Sequence, residues 1–322
     1  MPGFTTHYLF GQQTYQCIQS QDLKQTIQKY HTVYSLGLQG PDIFFYDVLS
    51  ALLAKKNPGS TAHTADTRVF LRHLLESPKI FPFKEEREIA CVYILGFVGH
   101  YLLDSVCHPY VYALSHYNRQ TKGYIGKHIC LETDIDTLLL RHYQQRPPSE
   151  FHQSESINLS KKQRHIVSTL LYFAFSKSYP GLGITRRRIL HAIHAMRAGT
   201  KLLYDPTGHK KLLVRRIESV VSKYPILSPL IASDTLIFHK DPCNLRHRPW
   251  KNPWDEQRVS RESFYDLFEK AQLQYCHILY DMDDFFSMER DPQKTSAAIA
   301  RLLMELGNCC YHSGLNSAPY IP

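Results

Sequence analysis

The sequence lacks the features that mark membrane and secreted proteins. A membrane-spanning helix needs about 20 apolar residues, and the longest apolar candidate, Ala90–Leu103, is shorter and leads into His and Asp. The N-terminal segment Met1–His7 has no basic stretch followed by an apolar one, so no secretory signal is predicted. The sequence therefore predicts a soluble, cytoplasmic protein.

Repeated cysteine pairs are also absent. Eight cysteines are scattered over 322 residues, which predicts no disulfide framework. We interpret Cys107 and Cys130 as packing residues, because each lies beside a histidine that is a better metal ligand. The neighbours Cys309 and Cys310 are interpreted as reduced, partly buried thiols, since adjacent cysteines rarely form an unstrained bridge.

Alternation of apolar and polar residues over a useful length is missing, so strands are not expected. Helical periodicity predominates instead, and the predicted fold class is all-α, a multi-helix arrangement around a buried central helix. Pro147-Pro148 indicates a boundary between a metal-site helical core, residues 1–146, and a helical C-terminal part, residues 147–322, packed on it as one continuous domain. The predicted helices of the second part are Lys161–Ser178, Arg186–Tyr204, Lys211–Tyr224, Ser260–Met288 and Thr295–Leu306.

The net charge of +9 is not accompanied by a recognisable nucleic-acid-binding motif. The densest basic clusters, at 186–188, 209–211 and 246–248, lie in separate segments without interleaved aromatic residues. We interpret each cluster as a solvated face. Together they remain compatible with an anionic partner, either a lipid headgroup or a phosphodiester.

The most informative stretch is 99–109, GHYLLDSVCHP. His100, Asp104 and His108 are four residues apart, which places them along one face of a helix. The preceding residues are apolar around the whole circumference, which predicts a buried helix, and Gly96 and Gly99 would let a neighbouring backbone come close. A buried carboxylate requires compensation, which a divalent metal supplies most directly.

The spacing of His and an acid four residues later occurs three times, and between one and two occurrences are expected by chance. His128 and Glu132 share a face of a second predicted helix, close in sequence to the first set. His277 and Asp281 stand apart on an amphipathic helix, and we interpret them as a surface pair. Histidine and carboxylate ligands with room for water are typical of hydrolytic zinc sites.

Two further candidate ligands precede the central helix. Asp42 follows Gly40-Pro41 and should stand at the head of a new helix or turn, where it could be a metal ligand or a helix cap. His63 lies at a predicted transition from loop to helix, where a side chain can point into a cleft.

These residues, together with the segment Thr6–Gly11, resemble the zinc-dependent phospholipase C family, especially its intracellular bacterial branch. The resemblance covers roughly residues 1–140, and the fold is shared with single-strand-specific zinc nucleases. It implies an all-α fold with a trinuclear zinc cluster at the base of a cleft. The implied ligands are Asp42, His63, His100 and Asp104 for one ion, His108, His128 and Glu132 for a second, and Asp104 with His7 for a third.

The chain departs from the family pattern at two places. Secreted members complete the third site with an N-terminal Trp, whereas this chain begins Met1-Pro2, so two or three zinc ions are expected. Ile43 and Phe44 stand where the family has headgroup-contacting residues, so the resemblance does not extend to a preference for choline lipids.

The expected function is zinc-dependent phosphodiester hydrolysis of the phospholipase C type, which yields diacylglycerol and a phosphorylated headgroup. Asp42 is the predicted catalytic carboxylate, because it alone among the ligands stands at a junction where it could serve both metal and water. The expected partner is a phospholipid or another phosphodiester, with transient contact to a membrane surface. Two alternatives stay open: a single-strand nuclease or nucleotidase on the same cluster, and a non-catalytic, zinc-stabilised helical protein that binds lipid or protein.

Overall fold

The computed structural model describes residues 3–47, 56–117, 123–221, 225, 227–234, 240–287 and 292–317. The protein has the predicted all-α fold. In the described residues its α-helices are α1 Phe4–Thr14, α2 Gln21–Lys29, α3 His31–Gly37, α4 Pro58–Thr64, α5 Thr67–Glu76, α6 Lys84–Leu114, α7 Tyr124–Gln144, α8 Gln153–Ser156, α9 Lys161–Ser178, α10 Arg186–Leu203, α11 His209–Val221, α12 Phe264–Ser287 and α13 Pro292–Leu306. Short 3₁₀ segments lie at Tyr15–Cys17, Gly40–Phe45, Ser77–Ile80, Pro148–Glu150, Pro180–Leu182 and Ser228–Leu230.

The helices predicted after residue 147 are confirmed, with boundaries that differ by a few residues. The prediction for α9 has the observed bounds, and α10 ends one residue earlier than expected. The predicted ends at 222–224 and at 288 lie outside the described residues.

Helix α6 forms the centre of the fold. By length and composition it could cross a membrane, which corrects the expectation that no apolar run is long enough. However, 83% of its most apolar window is buried by the other helices, as the core helix of a globular fold requires. Gly96 allows α3 to pack closely, because a β-carbon there would lie 2.4 Å from the carbonyl oxygen of Tyr34. The predicted role of this glycine is therefore confirmed.

Pro109 lies inside α6, which continues to Leu114. The expectation that proline interrupts or ends the helix was therefore wrong. Proline has no N–H to donate to the carbonyl four residues earlier, here that of Ser105. The C-terminal segment approaches at this point: a β-carbon on Gly314 would lie 2.5 Å from the oxygen of Ser105 and 3.1 Å from Cγ of Pro109. The contacts of neighbouring segments hold the helix together across the missing bond.

A two-stranded antiparallel hairpin, β1 Trp250–Asn252 and β2 Asp255–Ser260, was not expected from the sequence. Its register pairs Trp250 with Ser260, and a bulge lies between Lys251 and Asn252. Trp250 packs edge-on against Tyr110 of α6. The strands are too short and too exposed to show an alternating pattern.

One disulfide bridge joins Cys17 to Cys276 and spans 259 residues. Scattered cysteines had predicted no framework, and spacing alone could not reveal a bridge between the 3₁₀ segment Tyr15–Cys17 and α12. The other six cysteines are free. Among them, Cys107 and Cys130 are buried, as expected of packing residues.

Helices from both halves of the chain pack on α6. The hydroxyl of Tyr275 in α12 donates to the carbonyl of Leu95 at 2.6 Å. The hydroxyl of Tyr101 in α6 donates to the carbonyl of Leu306 at 3.0 Å, at the end of α13. A division of the chain near residue 146 remains a prediction.

Candidate metal centre

The structure brings all eight predicted ligands together around α6. Helix α6 supplies His100, Asp104 and His108, and each neighbouring segment adds one or two side chains. These are His7 from α1, Asp42 from the 3₁₀ segment Gly40–Phe45, His63 from the last turn of α4, and His128 and Glu132 from α7. Most of these side chains are buried, with Glu132 half-buried.

His7 is positioned by contacts at the beginning of α1. The backbone N–H groups of Thr5 and Thr6 donate to the carboxylate of Asp136 at 3.1 and 2.8 Å, and the hydroxyl of Thr6 donates at 2.6 Å. A carboxylate from α7 thus satisfies N–H groups at the N-terminus of α1, which have no partner within that helix. This cap fixes α1 against the helix that carries His128 and Glu132.

Asp104 lies at the centre of the first set of ligands. Its Oδ1 is 3.2 Å from Nε2 of His7, whereas Oδ2 is 3.3 Å from Nε2 of His63 and 3.2 Å from Nε2 of His100. The two oxygens therefore face different imidazoles. A carboxylate that bridges two ions requires this arrangement.

Asp42 completes the first set. Its Oδ1 lies 3.3 Å from Nε2 of His63 and 3.9 Å from Nε2 of His100. The sequence left open whether this residue caps a helix; within the described residues its Oδ1 has no hydrogen-bond partner. The side chain faces the histidines instead.

The second set comprises His108, His128 and Glu132, whose ligand atoms lie within 4.8 Å of one another. Oε1 of Glu132 is 2.7 Å from Nε2 of His128 and 4.0 Å from Nε2 of His108. The ring centroids of His63 and His108 are 6.5 Å apart, so the two sets are neighbours.

Backbone carbonyls fix the orientation of three imidazoles. Nδ1 of His63 lies 2.7 Å from the carbonyl oxygen of Gly59. Nδ1 of His100 lies 3.1 Å from the carbonyl oxygen of Leu38, and Nδ1 of His108 lies 3.0 Å from that of Tyr311. A carbonyl only accepts, so each Nδ1 carries a proton, which leaves Nε2 as the atom that can bind a metal. Metal-binding histidines are commonly held in this way.

The donor atoms fit a metal cluster. Within the described part of the chain, buried ligand atoms of six of these residues have no hydrogen-bond partner: His7 Nε2, Asp42 Oδ1, His63 Nε2, His100 Nε2, His108 Nε2 and both oxygens of Asp104. Unpaired buried polar atoms are costly, and so many at one point call for a ligand. Two ligands of one tetrahedral zinc ion, each about 2.1 Å from it, are roughly 3.4 Å apart. The separations of 3.2–3.3 Å around Asp104 match that value.

The electrostatics of the cluster favour metal-binding protonation states. Burial, followed by the charge of His100, lowers the pKa of His7, and burial also lowers the pKa of His108 and His128. Burial would raise the pKa of Asp104, but the surrounding histidines hold it well below its usual value. His63 differs: burial lowers its pKa, but the carboxylates of Asp104 and Asp42 outweigh burial and raise it to about 9.

Comparison with known protein families decides the assignment. The family model described as zinc dependent phospholipase C matches residues 6–180, which is more than half of the chain. The chain belongs to the zinc-dependent phospholipase C family. A search of curated proteins and a search of solved structures each gave no match. Membership of this family supports a zinc-dependent, phospholipase-like hydrolase.

One residue near the ligands, His312, was not predicted from the sequence, and it lies beyond the family match, which ends at residue 180. His312 stacks on His63 with ring centroids 5.5 Å apart and lies 5.6 Å from the ring of His108. It therefore stands between the two ligand sets. Burial, followed by the charge of His63, lowers the pKa of His312 to about 2. Its spacing in the sequence gave no signal, because it is about 180 residues from the nearest predicted ligand.

His312 belongs to a firmly held segment, residues 308–317, which we call the C-terminal loop. Its ends pair through the bridge between Cys309 and Asn316. The side-chain amide of Asn252 donates to the carbonyl of Ser313 at 2.8 Å, and the hydroxyl of Thr67 donates to the carbonyl of Cys309 at 3.1 Å. The loop thus ties the hairpin and α5 to the metal centre.

An aromatic cluster adjoins the second ligand set. The ring of Tyr112 is 4.5 Å from that of His128 and 4.9 Å from that of Trp254. Trp254 stacks on Tyr117 at 5.0 Å, and Tyr117 meets Tyr124 edge-on at 4.9 Å. These residues come from separate segments of the chain, so their proximity could not be predicted from local sequence patterns.

His277 and Asp281 lie apart from this centre. His277 is exposed, and Asp281 lies 3.4 Å from a guanidinium nitrogen of Arg301. Both features agree with the expected surface pair.

Proposed function

We propose that this protein hydrolyses the phosphodiester of a phospholipid between phosphorus and the diacylglycerol oxygen. Water adds its oxygen to phosphorus, and the products are diacylglycerol and a phosphorylated headgroup. The observation that carries the proposal is the convergence of buried, unpartnered imidazole and carboxylate atoms on one point. Membership of the zinc-dependent phospholipase C family supports the same chemistry.

The residues present would hold two or three zinc ions. His7, Asp42, His63, His100 and Asp104 would form the first group of ligands, and His108, His128 and Glu132 the second. When bound, zinc lowers the pKa of water toward neutrality and offsets the negative charge of a phosphate. Asp104, with its oxygens directed at different histidines, would join the ions of the first group.

Asp42 is the proposed general base. Its Oδ1 is buried among imidazoles, and the residue retains 5% exposure toward solvent. One oxygen can therefore bind metal while the other accepts a proton from the attacking water. The proton is then delivered to the leaving diacylglycerol oxygen, which completes the balance of the reaction.

His312 is proposed to contact the phosphate. It lies between His63 and His108, and its nitrogen atoms belong to neither ligand set. In the described part of the chain no hydrogen bond to its ring is found. An imidazole N–H at this position can donate to a phosphate oxygen that spans the two sets.

The test compares Asp42→Asn with the wild type and with Asp284→Asn, a change at an exposed position of α12. The substrate is a water-soluble chromogenic phosphodiester, and zinc content is measured on the same samples. We expect Asp42→Asn to keep zinc and to lose turnover by about 10²–10⁴-fold, the range for a general base. Asp284→Asn should match the wild type in both measurements.

Two results would count against the proposal. If the zinc-loaded wild type turns over no phosphodiester, the non-catalytic, zinc-stabilised alternative gains. If Asp42→Asn retains full turnover, another group is the base.

A single-strand nuclease is the second candidate. The aromatic cluster of Tyr112, Tyr117, Tyr124 and Trp254 favours it, because stacked bases are held on such surfaces. Rates on single-stranded DNA and on phospholipid, compared for wild type and Trp254→Ala, separate the two. A loss confined to DNA cleavage would favour the nuclease.

A further inference from the structure

Helix α11, His209–Val221, exposes its apolar side chains to solvent, whereas an ordinary surface helix buries them. At about 100° per residue, Leu212, Leu213, Ile217 and Val220 fall within an arc of roughly 140°. All four are exposed, from 53% for Leu212 to 86% for Val220. Lys211 and Glu218 lie on the opposite side of the helix and are 5% and 7% exposed. The charged side chains of Lys211 and Glu218 are turned inward, and the four apolar side chains are turned outward.

The inward face is well anchored. The carboxylate of Glu218 accepts hydrogen bonds from the backbone N–H groups of Leu227 and Ser228 at 2.6 and 3.1 Å, and from the hydroxyl of Ser228 at 2.7 Å. The backbone N–H of Lys211 donates to Asp205 at 2.8 Å. These bonds fix the rotation of α11, so the apolar side cannot simply turn inward.

The anchored segment connects α11 to the metal centre. The hydroxyl of Thr133 donates to the carbonyl of Pro229 at 2.7 Å, and Thr133 follows the predicted ligand Glu132 on α7. The exposed apolar face therefore belongs to the layer that covers the helix carrying His128 and Glu132.

The exposed charge around this face is positive. Residues 201–220 contain five Lys or Arg and two acids, and both acids, Asp205 and Glu218, are buried. Lys201 and Arg216 are exposed, and Arg216 lies within the apolar arc. A second copy of the chain would bring the same positive charge to a two-fold interface, which disfavours self-association there. An anionic lipid surface complements both the charge and the apolar side chains.

We propose that α11 is a membrane-docking helix that inserts Leu213, Ile217 and Val220 into the surface of an anionic phospholipid bilayer. Leu202, near the end of α10, is 72% exposed, and its carbonyl accepts a hydrogen bond from the ammonium group of Lys210 in α11 at 2.7 Å. The long side chains of Lys201 and Arg216 reach the headgroup phosphates while their stems lie along the apolar layer. The proposal rests on the proposed function only in that a lipid substrate explains why the protein would need a bilayer.

The experiment measures co-sedimentation of the zinc-loaded full chain with two kinds of vesicle, phosphatidylcholine alone and phosphatidylcholine with phosphatidylglycerol. The test variant is Leu213→Ser with Ile217→Ser. The matched control is Leu273→Ser with Met304→Ser, since both residues are exposed aliphatic side chains, 69% and 74%, on other helices. Circular dichroism and thermal unfolding check that both variants fold.

We expect the wild type and the control to bind the anionic vesicles, with weaker binding at high salt. The test variant should bind at least about tenfold more weakly, because two apolar side chains no longer enter the lipid. Equal binding by wild type and test variant would overturn the proposal. A wild type that dimerises through Leu213 and Ile217 without binding vesicles would also overturn it.

Turnover of a water-soluble phosphodiester separates this proposal from the proposed function. The test variant should keep wild-type turnover of that substrate, because no residue of the metal centre is changed. If the wild type binds vesicles through α11 but hydrolyses nothing, the docking surface stands and the phospholipase assignment fails. If the wild type hydrolyses the soluble substrate but does not bind vesicles, the docking proposal fails and the hydrolase assignment stands.

Discussion

The carbonyl oxygen of Tyr311 lies 3.0 Å from Nδ1 of His108, across 203 positions of sequence. This contact makes the C-terminal loop part of the metal centre, because it sets the orientation of a predicted ligand. The same loop places the next residue, His312, between the two ligand sets. Changes to the Tyr311 carbonyl should therefore affect metal binding, and changes to the His312 side chain should affect substrate binding.

Gly314→Ala should disturb the loop. Gly314 has φ +62°, which favours glycine, and a β-carbon would meet the Ser105 carbonyl at 2.5 Å. Gly307→Ala is the matched control, since Gly307 has φ +70° but nothing within 4 Å of its β-carbon. We expect each variant to lose about 1–2 kcal/mol of unfolding free energy from backbone strain. Only Gly314→Ala should also weaken zinc affinity, measured by competition with a chelator. Equal zinc affinities would show that the loop does not support the site.

His312→Gln should preserve zinc content and reduce phosphate binding. Because His312 belongs to neither ligand set, its loss removes one hydrogen bond to the phosphate, which corresponds to roughly tenfold weaker binding. Calorimetry with inorganic phosphate and zinc analysis of the same sample provide the readouts. His277→Gln, at an exposed position of α12, should behave as wild type. Loss of zinc from His312→Gln would instead make His312 a ligand.

Zinc binding should release a proton from His63. The carboxylates of Asp104 and Asp42, which outweigh burial, raise the pKa of His63 to about 9, so it is protonated at pH 7.5 without metal. Binding at Nε2 displaces that proton. Titration calorimetry in buffers with different ionisation enthalpies should show about one proton fewer for His63→Asn than for wild type. The difference should shrink as the pH passes 9, and a constant difference would contradict the assignment.

Removal of zinc should lower the unfolding temperature, because the cluster compensates the buried charge of Asp104. Restoring zinc should reverse the change, which thermal unfolding in the presence and absence of a chelator measures. Asp104→Asn weakens the first set of ligands at its centre, so the unfolding temperature of this variant should respond much less to the chelator. If the chelator does not change the unfolding temperature of the wild type, no stabilising ion is bound.

Asp136 should make stability depend on acidity. Burial raises the pKa of Asp136 to about 6, although the hydroxyl and backbone N–H groups of Thr6 and Thr5 lower it. A raised pKa means that the folded protein keeps a proton that the unfolded chain loses near pH 4. The resulting stability is present below about pH 4 and is lost as the pH rises through 6, on the order of 3 kcal/mol. Denaturant titrations of zinc-free protein should show this decline for wild type and not for Asp136→Asn. Parallel curves for the two proteins would contradict it.

The sequence predicted the fold class and the core of the centre because both depend on local periodicity. A spacing of four on an apolar helix predicts His100, Asp104 and His108 as ligands. The same spacing nearby predicts His128 and Glu132. Asp42 and His63 needed the family resemblance as well, since nothing in their local pattern distinguishes a ligand from a cap or a loop residue.

The remaining features depend on contacts between distant segments, which local patterns do not encode. His312 reaches the centre through the path of the C-terminal loop, and the bridge from Cys17 to Cys276 closes 259 residues. Pro109 was expected to break α6, but surrounding contacts outweigh one missing hydrogen bond. The periodicity of α11 predicts an amphipathic helix, but it does not predict whether the apolar face is buried or exposed.

The position of the C-terminal loop also bears on the order of biosynthesis. A ribosome-bound chain can form α6 early, yet the carbonyl that orients His108 and the imidazole of His312 are translated some 200 residues later. Until residue 312 has emerged, the eight predicted ligands, all at or before residue 132, lack the carbonyl that orients His108 and the neighbouring ring of His312. A chain that ends before residue 311 should therefore bind zinc less tightly than the full chain.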